Sequence, residues 1–171
     1  YTVSGIISGE TVNDAVTGAL TRTAGQNVGT YEIIQGTLAG TANYEITTYT
    51  PATLTITLKP LNLACFDAKI GSDMLNKNTV VYNAEPWAVT ATAAAGIEGL
   101  GTITQRYFRV DGENEAETTP AGTAPTDAGK YRVRLEVSEG TNYSGTGSEA
   151  AGLITTDDWW FEIVKAPFPA E

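Results

Sequence analysis

One phrase occurs twice in this chain, a hundred positions apart: Val28-Gly29-Thr30-Tyr31-Glu32-Ile33 and Ala128-Gly129-Lys130-Tyr131-Arg132-Val133. Each copy runs aliphatic residue, Gly, a free position, Tyr, a charged residue and a β-branched residue. The likeness extends downstream. Gly40-Thr41-Ala42-Asn43-Tyr44 follows the first copy and Gly140-Thr141-Asn142-Tyr143 the second, and each leads to a closing stretch, "TLTITLKP" or "WFEIVKAP". Landmarks that recur in order over such a distance imply tandem modules. The modules are placed at residues 1–59 and 60–171, the first without its first strand and the second lengthened by a hairpin insertion over 144–158.

Each landmark has a physical task. Beyond Gly129, residues Tyr131, Val133, Leu135 and Val137 alternate with Arg132, Arg134 and Glu136, the period of two that a half-buried strand requires. Tyr31 and Ile33 repeat the pattern more briefly. Leu54, Ile56 and Leu58 alternate with threonines to form a half-buried closing strand. Gly and Asn before Tyr44 and Tyr143 suit a turn, after which the tyrosine ring can be buried and its hydroxyl bonded. Tyr31, Tyr44, Tyr131 and Tyr143 are therefore read as structural anchors.

The rest of the chain is consistent with strands and turns. No stretch shows an apolar period of 3.6 residues over three turns, so helix should be scarce. The fold class expected is all-β, with two small Ig-like β-sandwiches in tandem or, alternatively, an open β-grasp-like sheet in each. The formal charge of −10, with only 10 Lys and Arg among 171 residues, argues against nucleic acid as a partner. No apolar run is long enough to span a bilayer. Cys65 stands alone, so no disulfide forms within the chain, and its place in "LNLACF" suggests a buried strand thiol. The chain contains no histidine, which removes Ser-His and Cys-His nucleophile pairs and His-ligated zinc. No catalytic residue is assigned, and no enzyme activity is expected.

Residues 1 to about 57, with "VSG", "GETV", "VGTY", "NY" and "LTIT", resemble the MBG ("mostly β, glycine-rich") repeats of large bacterial cell-surface, adhesin-type proteins. The second half is similar to related Ig-like repeats of that class, through "VVYN" at residues 80–83 and "PTDAGKY" at 125–131, with Ala84 where such repeats usually carry glycine. The resemblance implies a non-catalytic spacer or adhesion module of a secreted, extracellular protein at the cell surface. Its partners would be neighbouring repeats of the same chain, and possible ones beyond them are a host or cell-wall glycan or protein.

Three local features could add chemistry. "DGENEAE" places Asp111, Glu113 and Glu115 near Asn114, the ligand type calcium takes, although the spacing is not that of an EF-hand and a solvated hairpin loop is the simpler reading. No other cofactor is implied. Trp87, Trp159 and Trp160 could form a carbohydrate-binding platform, the alternative to a spacer; neighbouring strand residues face opposite ways, so at most one of Trp159 and Trp160 should be core. Lys59, Lys69 or Lys165 with Asn62, Asp157 or Asp158 could in principle form an intramolecular isopeptide bond, and no motif singles out a pair.

Overall fold

The structure is a computed structural model and describes residues 1–117, 121–147 and 152–168. It is all-β with several small sheets. The chain forms two compact units, Tyr1–Thr57 and Leu58–Glu171.

Unit 1 begins with residues 1–10, which join no strand, and a single helical turn, α1 (Val12–Ala15). Asp14 holds the start of that turn, its carboxylate accepting from Thr11 N at 2.8 Å and from the Thr11 hydroxyl at 2.8 Å. Five short strands follow: β1 (Val16–Thr17), β2 (Thr21–Arg22), β3 (Gly29–Ile34), β4 (Ala39–Gly40) and β5 (Ala52–Ile56). β2, β3 and β5 form an antiparallel sheet in that spatial order, and β1 pairs with β4. The core is slight. Ala15, Val16 and Leu38 are buried, with Val3, Ile6, Leu20, Tyr44 and Ile46 packed around them. A cavity of about 690 Å³, bordered by Leu20, Ile33, Leu38, Ile46, Tyr49 and Ala52, opens within this unit.

Unit 2 is a two-sheet sandwich. A 3-10 turn (Leu63–Cys65) leads into β6 (Phe66–Ile70), β7 (Asp73–Met74), β8 (Asn78–Val81), β9 (Val89–Ala93), β10 (Ile103–Asp111), β11 (Asn114–Glu117), β12 (Gly129–Val137) and β13 (Trp160–Val164). One sheet runs β11-β10-β12-β13-β8, with β8 parallel to β13, and the other runs β7-β6-β9. Between them lies a continuous core that includes Phe66, Ala68, Ile70 and Val89 from the smaller sheet and Tyr107, Tyr131, Val133, Leu135, Phe161 and Ile163 from the larger. Tyr107 bridges the two sheets, its hydroxyl accepting from Val89 N at 2.9 Å, and burial pushes its pKa up. The alternation in β12 is complete: Tyr131, Val133, Leu135 and Val137 are all buried. The single-sheet alternative does not describe this unit.

Two sequence expectations are corrected here. Cys65 is buried, but it closes the 3-10 turn instead of lying in a strand; Leu63 in the same turn is exposed, and the strand starts at Phe66. Leu54 is 40% exposed, because among the described residues it joins neither core cluster. The 144–158 insertion includes residues 148–151, which lie outside the described set. Its described part runs beside the second half of β12, where Thr146 N donates to Val137 O at 2.9 Å and Ile154 exchanges two bonds with Leu135.

Candidate functional site

The repeated phrase has the same backbone geometry in both units. Gly29 and Gly129 take φ of +155° and +159°, which L side chains rarely adopt, so both phrases require glycine there. Two residues on, each tyrosine hydroxyl donates to the carbonyl four residues back: Tyr31 to Asn27 O at 2.7 Å and Tyr131 to Asp127 O at 3.0 Å. The Tyr131 ring stacks on Phe161 at 5.8 Å between centroids, and Tyr107 meets Phe161 edge-on at 6.2 Å. Tyr31 is only half-buried, with the Arg22 guanidinium 5.2 Å from its ring centre.

The second tyrosine of each copy is held differently. Tyr44 accepts from Ile7 N at 3.1 Å and donates to Glu10, a bond that raises its pKa. Tyr143 is buried, with Lys59 Nζ 5.8 Å from its ring centre. Its neighbours tie down the start of unit 2: Lys59 N donates to Asn142 O at 2.9 Å and Ser144 N donates to Lys59 O at 3.1 Å.

The tryptophans do not come together as one platform. Trp159 is a core residue of unit 2. Trp160, the next residue, faces the other way and is half-buried on the outer face, where Lys130 Nζ sits 3.8 Å from the centre of its ring. Trp87 is half-buried, and its indole N–H donates to Val81 O at 3.2 Å.

The acidic stretch is a hairpin whose second half is strand. Asp111 stands opposite Asn114 across a tight turn made by Gly112 and Glu113. Asp111 lies 3.5 Å from the Arg109 guanidinium, while Glu115 is bonded to Arg132 at 2.5 Å and also to Arg134. Among the described residues no three acidic, His or Cys side chains converge as a metal site.

These pairs belong to a charged outer face that motif reading did not single out. Arg106 binds Glu117, with a 2.6 Å bond from its Nε, and reaches Glu136 at 3.3 Å. Burial raises the Glu115 pKa, but hydrogen bonds from Arg134 and Arg132 and their charges outweigh it and hold the carboxyl below its ordinary range. The hydrogen bond from Arg106 does the same for Glu117. The signal was present in the sequence: a two-residue Gly112-Glu113 turn fixes the hairpin register, which sets Glu115 and Glu117 of "ENEAE" opposite Val110 and Phe108 of "QRYFRV".

The acid and amide candidates for an isopeptide bond face other partners. Asp158 pairs with Lys77 at 2.5 Å, Asp157 lies 3.9 Å from Arg132, and Asn62 accepts from the Cys65 thiol at 3.5 Å. Among the described residues no ion pair joins Lys59, Lys69 or Lys165 to Asp157 or Asp158.

Residues 1–55, nearly the whole of unit 1, match the family model of the MBG domain, YGX type. No curated protein and no solved structure matches the chain. No helix among the described residues is long and apolar enough to cross a membrane.

Proposed function

We propose that this chain is a non-catalytic structural module of a bacterial surface protein, acting outside the cell as a spacer or as part of an adhesive stalk. The MBG match over residues 1–55 supports a surface-protein module, since that domain is typical of such proteins. The observation that carries the mechanical reading is the common register of the two units. Gly29 stands opposite Ile56 and Tyr31 opposite Leu54; Gly129 stands opposite Ile163 and Tyr131 opposite Phe161. The repeated residues thus set a turn and a strand entry in both units and a core contact in unit 2, which are scaffold tasks that repetition multiplies into length.

Neighbouring repeats of the same chain are the partners this reading requires, and a host or cell-wall glycan or protein would be met by adhesive parts of the assembly. Glu115 and Glu117 of the acidic stretch are engaged by arginines, so on this reading adding calcium or chelator should leave melting unchanged. The direct test is to stretch the full chain in a single-molecule force experiment. Unit 2 should unfold in one step with a contour gain on the order of 35 nm, from about 3.5 Å per residue. Extension without a resolved force peak would refute a load-bearing role. Titration with glycans, followed by tryptophan fluorescence, tests the carbohydrate alternative, which a saturable shift lost on replacing Trp87 or Trp160 would favour.

A further inference from the structure

Unit 2 supplies an internal standard for unit 1. The closing strands β5 and β13 pair with β3 and β12 in one register, yet among the described residues β13 has a neighbour on its other edge and β5 does not. In unit 2, β8 runs parallel along that edge, with Asn78 beside Phe161 and Val80 beside Ile163. Tyr82 N extends the ladder, donating to Val164 O at 2.9 Å. In unit 1, among the described residues, β5 pairs with β3 alone.

The common register shows which groups are left over. Thr53, Thr55 and Thr57 are the counterparts of Trp160, Glu162 and Val164, so their backbone N–H and C=O groups point out of the sheet. The side chains are uncovered as well. Phe161 is 0% exposed where Leu54 is 40% exposed, and the cavity of about 690 Å³ opens on the face that carries Ile33 and Ala52. An unpaired edge and an uncovered apolar face at one strand are the two elements of strand addition: main-chain bonds give affinity, and alternate side chains give selectivity.

We propose that the outer edge of β5 is a strand-acceptor site, and that its occupant is an extended segment with the chemistry of β8, lying parallel to β5. Such a segment is rich in β-branched residues, has no proline, and presents Val or Ile beside Ile56 as Val80 does beside Ile163. The edge geometry alone carries this, whatever role the whole chain serves.

The test uses the full chain and a fluorescently labelled peptide with the sequence of residues 77–85. Saturable one-to-one binding is expected, with amides of Thr53, Thr55 and Thr57 gaining protection from hydrogen exchange. In the register of β8, the N–H of Val80 faces the acceptor edge, as that of Tyr82 does. A peptide with Val80→Pro should therefore bind at least about tenfold more weakly. Thr55→Pro in the chain should weaken binding similarly, and the peptide variant decides the matter even if that protein misfolds. Absence of saturable binding, equal binding of the proline peptide, or protection at other strands would overturn the proposal. So would a dimer formed through β5 that excludes the peptide, because the occupant would then be a second copy.

Discussion

Phe161 and Leu54 occupy the same register position in the two closing strands, opposite Tyr131 and Tyr31, so truncating each to alanine isolates what the opposing sheet contributes. Phe161 is fully buried and contacts the rings of Tyr131 and Tyr107. Phe161→Ala should cost about 4 kcal/mol, from lost transfer energy and the cavity left in a packed core. Leu54 is 40% exposed. Leu54→Ala removes three carbons worth roughly 0.8 kcal/mol each when buried, so partial burial with no enclosed cavity gives about 1 kcal/mol. The assay is thermal unfolding of the full chain by calorimetry. At about 4 °C per kcal/mol for a unit near 110 residues, Phe161→Ala should lower the unit 2 transition by roughly 15 °C. Leu54→Ala should move only the unit 1 transition, by a few degrees. Equal costs at the two sites would refute the argument that the β7-β6-β9 sheet, and not the closing strand's own pairing, gives unit 2 its stability.

Other consequences can be measured on the same material. Ala84 sits at φ +67° in a turn where Asn83 Oδ1 accepts from Glu85 N at 3.0 Å; Ala84→Gly should relieve left-handed strain and raise stability by about 1 kcal/mol in chemical denaturation. Tyr131→Phe removes the bond to Asp127 O and leaves that acceptor without its phenol, a loss of about 1 kcal/mol read in the same experiment. Glu115 and Glu117 have folded pKa values below the ordinary 4.5, so their contribution is fully present above about pH 5 and is lost as pH falls through the lower folded values. Glu115→Gln should therefore destabilise unit 2 at pH 7 and flatten its loss of stability as pH falls below the ordinary 4.5, as followed by circular dichroism.

Much of the fold was legible because strand period and turn chemistry are local. The alternation over 131–137 identifies the buried face of β12, and the paired Gly-Tyr phrases mark equivalent strands. The residues that were misplaced depend on what lies across the sheet. Leu54 has the pattern of a half-buried strand residue, but its exposure depends on which side chains reach it from elsewhere in the unit, and it joins neither core cluster. Cys65 alternates with its neighbours as a strand residue would, yet the turn at Leu63–Cys65 forms before pairing with β9 begins. The tryptophan pair was partly readable: opposite faces followed from adjacency, while the choice of Trp159 for the core followed from β12, whose Val133 N donates to Trp159 O at 2.8 Å. The arginine and glutamate face was legible in part: the hairpin turn sets Glu115 and Glu117 beside β10, but Arg132, Arg134 and Glu136 join them only once three strands are in register.

The parallel pairing of β8 with β13 also determines how tension is shared. A pull drawn along β13 from its C-terminal end meets resistance from ladders on both flanks, since β12 and β8 grip it together. The load is in shear, and bonds in the two ladders must yield nearly at once. Among the described residues, the corresponding pull on β5 meets the β3 ladder alone. Within one chain, the two closing strands therefore differ in mechanical rank, and a strand seated beside β5 would narrow the difference by giving it a second rail.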